Sequence, residues 1–150
     1  MFEKKKSYVL GFVFDCELKE VLLLKRINEP YKDKLNGIGG KVEKGEQFLE
    51  AMKREMLEET DIRLEKVKKI EPLLNFTRPN GASINVFYII LNNTYTKKER
   101  IDTDEGILKW YDFINEKLYD VRNSRLASEG ATAYFINYAL CKEGINTSTL

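Results

Sequence analysis

Gly40-Lys41-Val42-Glu43-Lys44-Gly45-Glu46-Gln47-Phe48-Leu49-Glu50-Ala51-Met52-Lys53-Arg54-Glu55-Met56-Leu57-Glu58-Glu59-Thr60-Asp61-Ile62 leaves a glycine turn and then holds no Gly or Pro from Glu46 to Thr60. Strong helix formers fill that span, which predicts a helix over 46–60. At about 100° per residue, Glu55, Glu58 and Glu59 fall within about ±60° of one another. Phe48, Ala51 and Met52 share their stripe, so the apolar face meant for the core runs into three carboxylates. Three unpaired like charges at such spacing repel and lose hydration. A hard divalent cation with oxygen ligands, Mg²⁺ or Mn²⁺, resolves that conflict. A solvated face stitched by Glu50–Arg54 and Arg54–Glu58 pairs resolves it too.

Outward from this helix the pattern is mostly strands. Tyr8-Val9-Leu10-Gly11-Phe12-Val13-Phe14 reads as a buried strand, Asp15 to Lys19 as a turn, and Glu20 to Lys25 as a second strand. Asn36-Gly37-Ile38-Gly39-Gly40 is a glycine loop that allows close backbone approach. Further strands are expected around 64–76, at Ile84 to Leu91 and at Ile107 to Phe113. A helix over 128–143 closes the chain, with Ala131, Phe135, Tyr138 and Ala139 on one stripe. No repeat or Gly/Ser/Pro-rich linker divides the sequence, so 1–150 is read as one α/β domain with frayed tails at 1–6 and 145–150.

Composition narrows the chemistry. The 150 residues are 43% hydrophobic, and 25 Lys+Arg against 24 Asp+Glu leave a formal charge of +1. Such balance gives no reason to expect a nucleic-acid polymer or a membrane as partner. No apolar run approaches the ~20 residues of a membrane span, and Lys4-Lys5-Lys6 reads as a solubilising tail. Cys16 and Cys141 suit a reducing cytoplasm as free thiols. The chain has no histidine, which excludes His triads, His-ligated zinc and His acid–base catalysis. Carboxylates, lysine, tyrosine or a hard metal must carry any reaction.

From Gly40 the spacing is Gly, five residues, Glu46, seven residues, then Arg54-Glu55-Met56-Leu57-Glu58-Glu59-Thr60-Asp61-Ile62. This resembles the Nudix box, Gly-x5-Glu-x7-Arg-Glu-U-x-Glu-Glu-x-Gly-U with U apolar. Only the last glycine departs from it. By chance the six fixed positions would align on the order of 10⁻⁴ per chain or less. Asp61 stands where glycine would supply a left-handed cap, and aspartate tolerates that conformation at a modest loss of stability.

The resemblance implies an α/β/α sandwich around a mixed sheet and an Mg²⁺- or Mn²⁺-dependent hydrolase of nucleoside diphosphates linked to another group. It implies Glu55, Glu58 and Glu59 as metal ligands with the carbonyl of Gly39, Arg54 as the residue that holds the glutamates, and Glu46 as a brace at the loop–helix junction. Lys41 is placed to meet a phosphate. Glu105, in the acidic loop before Trp110, resembles an additional ligand or base of triphosphate-cleaving members. Leu35-Asn36-Gly37-Ile38-Gly39-Gly40-Lys41-Val42 resembles the oxidised-purine triphosphate diphosphatases, in which an Asn at the place of Asn36 contacts the purine and a Trp stands where Leu35 does. Phe76 could stack on a base, and Glu129 is the candidate acidic reader of the base on a late loop.

The expected activity is cleavage of a (deoxy)nucleoside triphosphate, with 8-oxo-dGTP the preferred guess, to monophosphate and pyrophosphate. Hydrolysis of ADP-ribose, a nucleotide sugar, a dinucleoside polyphosphate or an mRNA cap is the alternative. Pro72 and Pro79 straddle the position expected for ADP-ribose hydrolysis. A non-catalytic nucleotide-binding module is a third reading.

Overall fold

The computed structural model describes residues 5–150. In chain order its elements are β1 (Ser7–Phe14), β2 (Glu20–Arg26), β3 (Leu35–Asn36), β4 (Ile38–Lys41), α1 (Phe48–Thr60), β5 (Val67–Thr77), β6 (Ser83–Leu91), β7 (Ile101–Thr103), β8 (Gly106–Asp112) and α2 (Ala131–Lys142). Short 3-10 turns occupy Leu64–Lys66, Ser128–Gly130 and Thr147–Thr149.

The sheet runs β5-β6-β1-β2-β8-β7, with β3 beside β2 and β4 beside β1. β1 pairs parallel with β6 along its full length. On its other edge it splits: Tyr8 to Gly11 pair with β4, and Val13 and Phe14 pair with β2. The split holds β4 and its glycines against the middle of the sheet.

Successive strand residues point to opposite faces, and here both faces are covered, which is why β1, β2 and β6 read as continuous apolar runs. Phe12, Phe14, Val21, Leu23, Val86 and Tyr88 pack toward α2, against Phe135, Ile136, Ala139 and Leu140. Val9, Val13, Leu22, Leu24, Phe87 and Ile89 pack toward α1, against Ala51, Met52 and Met56. At Gly11 a Cβ would stand 2.7 Å from Sδ and Cε of Met52, so that glycine sets how closely α1 approaches β1. Helix, sheet and helix form the expected α/β/α sandwich.

Several boundaries differ from the sequence expectation. The first helix starts at Phe48 because Gln47 is its N-cap, in a capping box with Glu50. Its buried stripe is Ala51, Met52, Met56 and Thr60, while Phe48 is 43% exposed. Residues 64–66 form a 3-10 turn, and the strand begins at Val67. The closing helix begins only at Ala131, because Ser128, Glu129 and Gly130 all have positive φ. The acidic loop 102–106 is a hairpin turn: Thr103 pairs with Gly106, and its Oγ1 accepts the N–H groups of Glu105 and Gly106. The C-terminal tail is tied down by a Thr147–Asn137 side-chain bond and a cap from Asn146. At the other tail, Lys6 accepts a bond from the Ser83 N–H at 3.0 Å, and residues 1–4 lie outside the described residues. Among the described residues no helix is long and apolar enough to cross a membrane.

Candidate active site

Arg54 organises the junction between β4 and α1. Its Nε and Nη2 grip both oxygens of Glu46 at 2.7 and 2.9 Å, and Nη2 also donates to the Lys41 carbonyl at 3.0 Å. Nη1 reaches Glu55 Oε1 at 2.9 Å and Glu58 Oε2 at 3.3 Å. The planar guanidinium fork makes such multiple engagement possible. Paired this way, Glu46 is held down to about 2 by the Arg54 hydrogen bonds first and by its bond from the Glu43 N–H second. The Glu50–Arg54 pairing expected for a solvated face does not form; Arg54 turns to the loop.

Beyond Arg54 the carboxylates cluster. Glu55 lies over the glycine strand: a Cβ at Gly40 would stand 2.3 Å from Glu55 Oε1. Its side chain is 13% exposed and that of Glu58 59%. Glu59 is the group under stress. Its Oε2 is buried without a hydrogen-bond partner, and its carboxyl is pushed up to about 8, by burial first and then by the charges of Glu105 and Glu55. Glu105 comes from the β7–β8 turn, which the pairing of β8 with β2 and the Ile27 N–H bond to the Glu105 carbonyl hold in place. Glu58, Glu59, Asp102, Thr103, Asp104 and Glu105 line one open groove of about 400 Å³.

Among the described residues no three acidic side chains have closed to metal-ligand spacing. Arg54 draws Glu55 and Glu58 toward itself. The donor set nonetheless fits a hard cation: every donor is oxygen, and a buried carboxylate oxygen lacks any partner. Gly39, in β4 opposite Leu10, sits one residue from the glycine under Glu55.

A second cleft, of about 500 Å³, opens on the other side of the glycine strand and is lined by Tyr8, Leu10, Arg26, Tyr31, Asn36 and Arg78, among others. Asn36 Oδ1 accepts the Gly37 N–H at 2.8 Å and the Thr132 hydroxyl at 3.3 Å, so the side chain is pinned from two sides. Of the other sequence candidates, Lys41 is exposed beside the glycines. Phe76 stacks on Phe135 at 5.9 Å and pairs with Ile84, standing behind the cleft wall rather than in it. Glu129 is exposed, three residues before Thr132. Sequence reading missed Arg26, Tyr31, Arg78 and Asn80. They come from two separate segments, 26–31 and 78–80, that the sheet brings together, and no local spacing marks them.

The NUDIX domain family model matches residues 4–126. Solved structures share the fold. The NUDIX domain of Shewanella oneidensis NrtR, complexed with ADP ribose, superposes with a TM-score of 0.71 at 18% identity, covering 95% of this chain and 90% of that one. A MutT from a study of Aliivibrio salmonicida and Vibrio cholerae gives 0.64 at 24% identity, covering 89% and 98%. The Escherichia coli dihydroneopterin triphosphate pyrophosphohydrolase gives 0.65 at 20% identity, covering 93% and 99%. Since the family match spans well over half of the chain and takes in both β4 and the glutamate helix, the protein belongs to the Nudix family and is a Nudix hydrolase.

Proposed function

We propose that this Nudix hydrolase cleaves (deoxy)nucleoside triphosphates to the monophosphate and pyrophosphate, with 8-oxo-dGTP the first substrate to test. The observation that carries the reading is Glu59, whose Oε2 is buried without a partner close to Glu55, Glu58 and Glu105 and beside a glycine strand. Glu55, Glu58, Glu59 and Glu105, with the Gly39 carbonyl, would hold Mg²⁺ or Mn²⁺. Bound there, the cation supplies Lewis-acid polarisation of the phosphoryl oxygens and offsets the charge of the transition state.

The chain's own residues do the rest. Glu55 and Glu58 are the candidate carboxylates to take the proton of the attacking water, and Glu105 shares that role from the opposite wall. Arg54 keeps Glu55 and Glu58 in register with the glycine strand. Lys41 meets the phosphates as a point charge. Asn36, whose Oδ1 is already engaged, offers its Nδ2 donors to the acceptors of a purine edge. Glu129 reads the base from the turn before α2, and Phe76 shapes the cleft through Ile84. Two exposed free cysteines suit a reducing, cytoplasmic setting, and we read the chain as one domain with a nucleotide as its partner.

The test is pyrophosphate release from dGTP, 8-oxo-dGTP, the other dNTPs, ADP-ribose and a dinucleoside polyphosphate, in Mg²⁺, Mn²⁺ and chelator. Added phosphatase registers products that lack pyrophosphate. Metal-dependent preference for 8-oxo-dGTP supports the proposal. Preference for ADP-ribose, the molecule bound by the NrtR domain, keeps the metal chemistry and replaces the substrate. Glu58→Gln and Glu59→Gln are each expected to lower turnover by roughly 10²–10⁴-fold; wild-type rates in both would show the cluster to be misassigned.

A further inference from the structure

A third cleft, of about 460 Å³, lies against the β4–α1 junction, lined by Lys5, Lys6, Ser7, Lys41, Val42, Glu43, Lys44, Gly45, Glu46 and Phe48. Four of these residues are lysines, drawn from two segments more than thirty positions apart in sequence. The pairing of Tyr8 with Lys41 and the bond from the Val42 N–H to the Ser7 carbonyl bring those segments side by side. None of the four lysines makes an ion pair or a side-chain hydrogen bond with another described residue. The two carboxylates in the cleft are turned away: Glu46 is gripped by Arg54 through both oxygens, and Glu43 stands 3.8 Å from the same guanidinium. A chain with a net charge of only +1 therefore lines one cleft with four lysines that no carboxylate offsets. That place is one residue removed from the carboxylate cluster, since Arg54 touches Lys41 and Glu46 on one side and Glu55 and Glu58 on the other.

The position carries a chemical meaning. Lys41 is the phosphate-facing lysine of the proposed reaction; Lys6 and Lys44 stand beside it in the cleft, and the Lys5 side chain runs over Gly81, with Nζ 3.3 Å from where a Cβ would stand there. Phosphates lying on Lys41 would meet these charges next, and ammonium groups on flexible stems suit a row of phosphates better than a single planar anion. The exposed ring of Phe48 adds an apolar surface on the same wall.

We propose that the Lys5, Lys6, Lys41, Lys44 cleft is a binding subsite for a linear polyphosphate chain, extending the phosphate track beyond the two phosphates that are released. The proposal rests on the pyrophosphohydrolase reading only for the direction of the track; the subsite itself binds without turnover. Such a chain can end free, as in a nucleoside tetraphosphate, or in a second nucleoside, as in a dinucleoside tetraphosphate.

The experiment is calorimetric titration of inorganic tripolyphosphate into the metal-free protein, in chelator and at low salt. Wild type is compared with Lys5→Ala/Lys6→Ala/Lys44→Ala and with a charge-matched control, Lys68→Ala/Lys98→Ala/Lys109→Ala, whose exposed lysines lie elsewhere. Three exposed contacts at their ordinary strength give a loss of roughly tenfold in affinity for the first variant, no change for the control, and weakening with added salt. Absence of binding to wild type, or an equal loss in both variants, overturns the subsite. In Mg²⁺, both tetraphosphates should lose kcat/KM relative to ADP-ribose in the first variant; a loss confined to one of them identifies how the chain ends, and a loss in neither overturns the proposal. Tripolyphosphate binding with no triphosphate hydrolysis in any metal would instead retire the proposed reaction and leave the subsite standing.

Discussion

Glu59 carries two opposed consequences in one side chain. Its carboxyl is shifted up to about 8, so in the metal-free protein it binds a proton that the unfolded chain has released. Between its ordinary value near 4.5 and about 8, the native state holds more protons than the unfolded state, and stability falls as pH rises. Replacing it by Gln removes the charge and keeps the shape. Glu59→Gln is therefore expected to stabilise the metal-free protein at pH 8, by on the order of 1–3 kcal/mol, while it lowers turnover roughly 10²–10⁴-fold. Thermal melts in chelator beside the activity assay check both halves, and a variant less stable than wild type would contradict the assignment of burial as the cause. Asp61 offers a simpler substitution. It closes α1 in the left-handed conformation, φ 58°, with its N–H on the Leu57 carbonyl at 2.9 Å. Glycine occupies that conformation without the side-chain penalty, so Asp61→Gly should raise stability by about 0.5–1 kcal/mol, seen as a shift of a few degrees in Tm.

The helix α1 and the strand β4 act as a pair, joined by Arg54 and by the contact of Glu55 with Gly40. Arg54→Lys keeps the charge and loses the fork. It should weaken divalent-cation affinity and lower kcat roughly 10–100-fold, the range seen when residues that orient ligands are replaced, with little change in the fold. Metal titration followed by activity measures it. Gly40→Ala drives a methyl into Glu55 Oε1 and should displace that carboxylate with a loss of similar size. At this scale the sequence was most informative. The glutamates of α1 and their neighbours lie within one helical run, so a period of 3.6 residues and a fixed spacing suffice to place them together. The aspartate cap was legible for the same reason. By contrast β3, β4 and β7 have two to four residues each, too few for any periodicity, and read as loop. Phe48 was misplaced because the helix period alone cannot tell that the first turn overhangs the sheet.

Across the whole molecule, α2 is locked to the sheet by Glu143, which accepts from Lys69 Nζ at 2.7 Å and from the Tyr88 hydroxyl at 2.8 Å. These partners hold the Glu143 carboxyl below its usual value, Lys69 foremost. Its stabilisation is complete above the unfolded value and disappears as pH falls toward the folded one, the reverse of Glu59. The metal-free protein should be most stable in mildly acid solution, near about pH 5, and a saturating divalent cation should move that optimum upward. Chemical unfolding from pH 3 to 9, with and without metal, tests this. Glu143→Gln should cost about 1 kcal/mol and flatten the acid limb alone. None of this network was visible in sequence, because its members lie on β5, β6 and the end of α2 and meet only through long-range pairing. The Asn36 cleft was half legible for the same reason: the amide sits next to the glycines, whereas Arg26, Tyr31 and Arg78 arrive from elsewhere.

β1 divides its free edge between two neighbours, and β4 hangs on the earlier half alone. The strand that underlies the glutamates thus shares no hydrogen-bonded edge with the segments 27–34 and 78–82, which border the Asn36 cleft. Natural variation can lengthen, shorten or recolour those two segments while the hydrolytic centre keeps its geometry. An engineer could do the same, grafting both segments from a relative onto this chain to reshape the Asn36 cleft while leaving the glutamate cluster in its original frame.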